Sequence, residues 1–281
     1  MRPVLLATLS AFLFGAMTVA VRIALQRGAD AGSGAFSTVF IGFLVALPFA
    51  LGTGGGVSGV WPFLLAGVLA PGASQVLFTL GVRDAGPARS SVVVGTAPLF
   101  AVAIAIVALD EPVEVALVIG AALIVGGGVV LAGERQRPDR FKRIGLVLAL
   151  AATVLFATRD NLVRWLAGDT KVEPARAAAA ALLTGWLCAL AYVFISGKRY
   201  QLRTMGTFAP AGILYGLSYV SLFAAFYSGR VSIVSPLVAT ESLWGVALSA
   251  LVLGRTERIG ARVVAGALLV VAGGVLIGIV R

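Results

Sequence analysis

The sequence predicts an all-α polytopic membrane protein whose ten transmembrane helices form two inverted five-helix repeats. Three observations favour this fold class: a strongly apolar composition, ten apolar blocks of membrane-spanning length, and a second half that repeats the first. Hydrophobic residues make up 59% of the 281 residues and charged residues only 12%, whereas soluble domains contain about 25% charged residues. An ordinary soluble domain is therefore excluded.

Each apolar block is close to the ~20 residues that a helix needs to cross a ~30 Å hydrocarbon core. Barrel strands are excluded because they are only about 10 residues long and alternate polar with apolar residues. The first block is too long for a signal peptide, and no small-residue cleavage site follows it. In chain order the predicted helices are Pro3–Leu25, Gly32–Leu51, Trp61–Val82, Ala88–Leu109, Val113–Ala132, Ile144–Leu166, Pro174–Ile195, Phe208–Ser228, Val231–Leu253 and Gly260–Val280.

The breaks between these blocks are charged or rich in glycine and proline. Those of the first half read QRGADA, GTGGG, RDAGP and DEP, and those of the second half read GDTKVE, SGKR, GR and GRTER. The run ERQRPDRFKR separates the halves and is predicted to be a solvated linker. These breaks mark the ends of the predicted helices.

Residues that commonly carry enzyme or metal chemistry are scarce. The chain has no histidine, and its one cysteine, Cys188, lies inside the seventh predicted helix. Disulfides within the chain and cysteine-based metal sites are excluded, together with the commonest general base and metal ligand, and no cofactor or metal is expected. The net charge of +10 does not indicate nucleic-acid binding, because the basic residues flank the membrane, where they set orientation and contact anionic headgroups.

Internal repetition is clearest in the last helix of each half. The segment GAALIVGGGVVLAG at Gly120–Gly133 returns as GALLVVAGGVLIG at Gly266–Gly278, and both provide a small-residue side on which membrane helices pack closely. The first helices of the halves also match, with Leu13-Phe14 on Leu155-Phe156 and Val21-Arg22 on Val163-Arg164.

The repetition predicts one five-helix unit at residues 1–133, a linker at 134–143 and a second unit at 144–281. Since five is odd, the second unit must enter the membrane in the opposite orientation. Inverted repeats of this kind are typical of secondary transporters, which bind substrate between the repeats near the middle of the membrane.

These features resemble the drug/metabolite transporter superfamily, in particular ten-helix proteins of the EamA type. The resemblance is carried by the five-plus-five arrangement, by an acidic residue after the fourth helix of each unit (Glu111, Glu257) and by the glycine-rich helices that follow. It implies a transporter of amino acids, metabolites, drugs or sugar derivatives. An arginine often found early in the second helix of such repeats is absent here, so its role cannot be carried over.

Glu241 is the strongest candidate for a functional residue, because a charge within a span usually faces a cavity. Its position in VATESLWG predicts a place near the middle of the ninth helix. There it could bind an amino or cationic group, or carry a coupling proton; a structural acid bonded to another helix is the alternative.

A second polar cluster, Arg159, Asp160 and Asn161, lies about two-thirds along the sixth helix. Neighbouring residues of a helix point ~100° apart, so the three cannot all face one partner. Arg159 could form a buried ion pair with Glu241. Alternatively, Arg159 and Asp160 are anchors near the water interface.

Polar and aromatic residues of the eighth and third helices are further candidates. Tyr215, Tyr219 and Phe223 recur at i, i+4 and i+8, which places their rings on one side of the helix. An aromatic wall suits flat, apolar or cationic groups, although packing between helices is an equal alternative. The equivalent part of the third helix offers Gln75 and Phe78, and a buried amide such as Gln75 must find partners.

Two prolines and two tryptophans complete the candidate site. Pro98 and Pro236 free backbone carbonyls inside the fourth and ninth helices and could be gating hinges, although static bends are more common. Trp186 and Trp244 are further aromatic candidates for substrate contact.

We therefore predict a proton-coupled or facilitative permease of the cell membrane, with export favoured, for a small metabolite such as an amino acid or an organic cation. No P-loop is present. The expected partners are the small-molecule substrate, the lipid bilayer and, in the proton-coupled alternative, protons. No nucleic-acid partner is expected, and a monomer is compatible with the sequence. An intramembrane enzyme, or a structural or receptor-like protein, is the alternative. Basic residues are more frequent opposite the termini and favour external termini, whereas the resemblance implies cytoplasmic ones.

Overall fold

The computed structural model describes residues 2–52, 59–100, 103–104, 115–132, 141–197, 202–229, 234, 237–254 and 259–280. Regular structure in these ranges is helical throughout, which confirms the predicted fold class. The helices are α1 (Arg2–Gln26), α2 (Ala31–Gly52), α3 (Trp61–Gly67), α4 (Ser74–Ala85), α5 (Pro87–Val94), α6 (Val115–Ala132), α7 (Ile144–Asp169), α8 (Pro174–Ile195), α9 (Leu202–Ser228), α10 (Glu241–Leu253) and α11 (Ala261–Val280).

Membrane-spanning length is reached by six apolar helical units: α1, α2, the combined α3–α4 unit, α7, α8 and α9. Shorter apolar helices cover Val118–Leu131, Leu237–Leu253 and Ala261–Leu276. The fourth predicted helix lies partly outside the described residues, as do Glu111 and Glu257. The chain is thus a multi-pass membrane protein.

The third span is interrupted where the two halves meet. Val68–Ala73 forms a π-helical turn between α3 and α4, and within it Ala70 has extended backbone angles of φ −145° and ψ 120°. A residue that precedes a proline avoids the α conformation, and Pro71 follows. The proline ring packs against Gly185 of α8, where any side chain would overlap it. The irregular turn is therefore buried against another helix, which is the condition for such backbone at membrane depth.

The fourth and ninth spans are also broken. A turn at Gly95–Thr96 follows α5, and Pro98 lacks the N–H that would bond to the carbonyl of Val94. In the ninth predicted helix a turn at Thr240 precedes α10, so Glu241 lies in the first turn of that helix. Residues 231–233, 235 and 236 of this prediction lie outside the described residues. Broken helices of this kind surround the substrate sites of many transporters.

Hydrogen bonds between helix ends define one face of the protein. Arg22, near the end of α1, donates from Nη1 to the carbonyl of Arg83 near the end of α4 (2.9 Å). The backbone N–H of Lys142, just before α7, donates to the carbonyl of Asp84 (2.7 Å). Consequently α1 and α4 end on the face where α7 begins. We call this the linker face.

The opposite face, where α1 begins, is called the terminal face. Here Arg164, near the end of α7, donates from Nη1 to the carbonyl of Phe226 near the end of α9 (3.0 Å). A Cβ atom on Gly229, just after α9, would lie 2.7 Å from the Cβ of Pro3 in α1. The equivalent helices α1 and α7 therefore run in opposite directions, as inverted repeats require.

Helices of different halves form the core. Helix α1 packs on α9, α4 on α7, α2 on α8, and α6 on α11. In the last pair, a Cβ on Gly127 would lie 2.8 Å from the carbonyl oxygen of Gly266, and a Cβ on Gly266 would lie 3.0 Å from that of Gly127. The glycine-rich segments thus pack against each other with their backbones in close contact. In lipid, where the hydrophobic effect does not hold helices together, van der Waals packing of this kind stabilises the pair.

Candidate functional site

A small cavity lies where helices of both halves meet. It leaves about 30 Å³ for the centres of water-sized molecules, and one water needs roughly 10–15 Å³ of such volume. The lining residues come from α1, α7, α9, α10 and the segment around the Gly95–Thr96 turn: Ser10, Phe14, Val94, Ala97, Phe156, Arg159, Asp160, Ser218, Tyr219, Leu222, Val238 and Glu241. This volume is too small for a metabolite.

Arg159 is held inside an aromatic cage and is only 3% exposed. Its guanidinium carbon lies 4.8 Å from the ring centre of Tyr219, 5.7 Å from that of Phe156 and 5.9 Å from that of Phe223. Stacking on ring faces stabilises a planar cation that has left water. The cage therefore explains how a guanidinium can be buried between the helices of this protein.

The charge of Arg159 is balanced by its sequence neighbour. Nε of Arg159 lies 2.7 Å from a carboxylate oxygen of Asp160, a close ion pair in which the N–H does not point at the oxygen. Nε and Nη1 of Arg159 therefore lack a well-aligned hydrogen-bond acceptor among the described residues. The predicted pair of Arg159 with Glu241 does not form here, because Asp160 takes the position of counter-ion. Arg159 and Asp160 both line the cavity, whereas Asn161 does not, so the three neighbours do not all face the same space.

Glu241 lines the same cavity as this ion pair and is 5% exposed. Its carboxylate makes no hydrogen bond or ion pair with the residues that the structure describes. A buried carboxylate without a partner is unstable unless it is protonated or neutralised by a ligand. The cavity thus contains an acidic acceptor and, on Arg159, N–H donors whose hydrogen-bonding capacity is unused.

The predicted tyrosines lie side by side. Tyr215 and Tyr219 are 0% and 1% exposed, and their ring centroids are 4.8 Å apart. Tyr219 lines the cavity and covers Arg159, while Tyr215 packs on Phe14 at 6.2 Å. Neither hydroxyl makes a well-aligned hydrogen bond to a described residue. Tyr219 therefore lines the cavity, whereas Tyr215 packs against the rings of Tyr219 and Phe14.

Ser10 and Ser218 line the cavity. Ser218 is predicted beside the aromatic stripe of the eighth helix, whereas no pattern in the sequence indicated Ser10. Each hydroxyl donates to the backbone carbonyl of the other residue, at 3.1 Å and 3.0 Å, and the two hydroxyl oxygens are 3.0 Å apart. These bonds join α1 to α9 and so link the two halves. Phe14 and Phe156 also line the cavity; their equivalence in the repeat was the signal that could have identified them.

Other predicted residues lie elsewhere. The Asn161 amide donates to the carbonyl of Ala157 (2.9 Å), which satisfies it within its own helix. Trp186 packs against an aromatic cluster of α2, with its centroid 5.2 Å from that of Phe40. Trp244 is 38% exposed and meets Phe12 edge-on at the outer surface. Asn161, Trp186 and Trp244 are absent from the cavity lining, and their contacts favour packing roles.

The remaining candidates lie next to the cavity or beyond the described residues. Gln75 and Phe78 are fully buried in α4 but do not line the cavity. Pro98 directly follows the cavity-lining residue Ala97, whereas Pro236 lies outside the described residues. Among the residues that the structure describes, no group of three or more acidic or cysteine side chains could hold a metal ion.

Comparisons with known proteins agree with this architecture. The family model described as "EamA-like transporter family" matches the chain twice, at residues 1–133 and 143–279. No curated protein matches the chain. Among solved structures, one crystal structure of a protein aligns over 100% of both chains with a TM-score of 0.72 and 20% sequence identity, a similarity that concerns the fold. The double match confirms the two-repeat architecture.

Proposed function

Since the chain belongs to the EamA-like transporter family, we propose that it is a secondary transporter of a small amine-bearing metabolite, such as an amino acid or an organic cation. Membership makes it a membrane transporter of the drug/metabolite type. We further propose that units at 1–133 and 144–281 move against each other to expose the cavity alternately to the two sides of the membrane. Export across the cell membrane by a monomer is the form of this function that we favour.

The observation that supports the proposal is that Arg159 and Glu241 line the same cavity. Two N–H groups of Arg159 lack an aligned acceptor, and no hydrogen bond or ion pair joins the Glu241 carboxylate to a described residue. Such groups are unfavourable when they are buried. A ligand with an ammonium group satisfies the Glu241 carboxylate, and the carboxylate of a zwitterion in addition satisfies the N–H donors of Arg159. An organic cation contacts Glu241 but has no carboxylate for Arg159, and its charge stacks on the ring of Tyr219 instead.

The cavity is too small for any such ligand in the present conformation. About 30 Å³ for water-sized molecules contrasts with the roughly 300–1,000 Å³ of ligand pockets in general. Substrate entry therefore requires the helices of the two repeats to separate at one face. This requirement supports a transport cycle in which the two repeats move against each other.

Coupling to protons follows from the competition of two ligands for Glu241. A substrate ammonium requires the ionised carboxylate, while a proton fills the same acceptor and leaves it neutral. Binding of the proton therefore excludes binding of the ammonium group, and the reverse. If the protein changes between its two conformations only when Glu241 binds one of these ligands, it exchanges protons for substrate. A facilitative permease would instead also change conformation when Glu241 binds neither a proton nor substrate.

The test is transport in proteoliposomes with Glu241→Gln. We expect proton-driven flux of amino acids or organic cations to fall at least about tenfold, because one lost charge-assisted bond weakens binding by about 1.5–3 kcal/mol. The matched control is Glu173→Gln, the same change at an exposed residue before α8, which should leave flux unchanged. Equal flux and equal pH dependence in both variants would contradict the proposed role of Glu241.

A further inference from the structure

Two arginines at matching positions of the repeats bind helix ends on opposite faces of the protein. Arg22 donates from Nη1 to the carbonyls of Arg83 (2.9 Å) and Val82 (3.4 Å) near the end of α4. Arg164 donates from Nη1 to the carbonyl of Phe226 near the end of α9 (3.0 Å). The inverted repeat therefore makes the same kind of contact twice, once on the linker face and once on the terminal face.

These contacts join two pairs of closely packed helices. In the first pair, α1 and α9, the hydroxyls of Ser10 and Ser218 bond to each other's backbone carbonyls. In the second pair, α4 and α7, a Cβ on Gly81 would lie 3.0 Å from the carbonyl oxygen of Gly145. One arginine ties α1 to α4 and the other ties α7 to α9. Both contacts thus cross from the α1–α9 pair to the α4–α7 pair, at opposite ends.

The central cavity lies between the two helix pairs and between the two arginine contacts. Phe14 and Ser218 line it from the α1–α9 pair, and Asp160 lines it from the α4–α7 pair. At a rise of about 1.5 Å per residue, Arg164 lies about 6 Å beyond Asp160 toward the terminal face, and Arg22 lies about 12 Å beyond Phe14 toward the linker face. A path from the cavity to either face along these helices therefore passes one of the arginines.

The chemistry of both contacts suits a bond that breaks and forms again. Arg83 and Phe226 belong to the last four residues of their helices, whose carbonyls lack a partner within the helix and carry partial negative charge. A guanidinium from another helix satisfies such a carbonyl. Both arginines are only half-buried, so water can replace the bond on each side when the helix ends separate.

We infer that Arg22 and Arg164 are a matched pair of latches, in which the Arg22 contact holds the linker face closed and the Arg164 contact holds the terminal face closed. This inference rests on the proposed transport function. Opening of one face separates the two helix pairs at that end and breaks the latch there, while the other latch stays formed. Loss of one latch should consequently favour the conformation that is open at its own face.

Cysteine accessibility tests the latches without knowledge of the substrate. The reporter is Leu222→Cys, at a 6% exposed position of the cavity lining, in a Cys188→Ala background that removes the only native thiol. A membrane-impermeant methanethiosulfonate is added to one face at a time. We expect Arg22→Met to speed labelling from the linker face at least about tenfold, a shift of about 1.4 kcal/mol, with no increase from the terminal face. Arg164→Met should give the reverse.

The matched controls are Arg27→Met and Lys171→Met, which remove an exposed basic side chain just after α1 and just after α7. Both should leave the labelling rates unchanged from either face. A general loosening of the fold would speed labelling from both faces in both latch variants. That result, or rates that do not change in the latch variants, would overturn the inference.

The same variants separate the latches from the role of Glu241. If Glu241→Gln transports normally while labelling is still specific for one face in each latch variant, the role of Glu241 is wrong and the latches stand. If Glu241→Gln loses flux but neither latch variant gives labelling specific for one face, the latches are wrong and the transport proposal stands.

Discussion

The rings of Phe14 and Phe156 meet edge to face, with centroids 5.8 Å apart and planes at 89°. The two residues are equivalent positions of the two repeats, in the matching pairs Leu13-Phe14 and Leu155-Phe156. When equivalent residues of a duplicated unit touch, the axis that relates the units passes between them. The pseudo-two-fold axis of the protein therefore runs through this contact, and the cavity lies beside it.

This contact predicts how the two phenylalanines share their contribution to stability. We expect Phe14→Ala and Phe156→Ala each to lower the free energy of unfolding by about 3–5 kcal/mol, the usual effect of removing a buried phenyl ring. Because the rings touch, the double variant should lose less than the sum of the single losses. Unfolding of the purified protein in detergent provides the measurement.

The control for this experiment is Phe12→Ala, which removes a 38% exposed ring at the outer surface of α1. It should change stability by less than either central substitution. Full additivity of Phe14→Ala and Phe156→Ala would show that the rings do not support each other.

The sequence predicted the repeats more completely than the site, for a physical reason. Helix positions follow from the length of apolar blocks, and the match of Phe14 with Phe156 follows from register, so both are local properties. The counter-ion of Arg159, in contrast, depends on side-chain conformation, because the guanidinium reaches the carboxylate of its sequence neighbour Asp160 at 2.7 Å. Periodicity placed Tyr219 on the correct side of its helix but could not distinguish the cavity from packing.

Two neighbouring glycines of α6 make a matched stability test. A Cβ on Gly127 would lie 2.8 Å from the carbonyl oxygen of Gly266, a backbone atom that cannot rotate away, whereas a Cβ on Gly126 would meet nothing within 4 Å. We expect Gly127→Ala to destabilise the protein by about 1–3 kcal/mol through overpacking. Gly126→Ala should be neutral or slightly stabilising, since alanine is the better helix former. Thermal unfolding in detergent measures both, and equal effects would contradict the observed packing of α6 on α11.

Orientation in the membrane is a further expectation. The linker face brings together basic residues that the positive-inside rule assigns to the cytoplasm, among them Arg22, Arg83 and Lys142. We therefore expect the termini outside, although the family resemblance implies the reverse. A cysteine placed at position 1 in a Cys188→Ala background should react with an impermeant maleimide added to intact cells. Reaction only after the cells are permeabilised would place the linker face outside.

Variants of the ion pair between Arg159 and Asp160 can separate its contribution to stability from its contribution to transport. Asp160→Asn leaves the caged guanidinium without its nearest counter-ion, and loss of one partner of a buried pair destabilises by about 3–5 kcal/mol. The double variant Arg159→Met, Asp160→Asn removes both charges and should recover most of this loss, because a long apolar side chain can occupy the cage formed by Tyr219, Phe156 and Phe223. Recovery of stability without recovery of flux is the expected result, since the proposed contact of Arg159 with the substrate carboxylate stays absent. If the double variant transports amino acids at the native rate, Arg159 serves stability alone, and Glu241 with Tyr219 must then account for substrate binding.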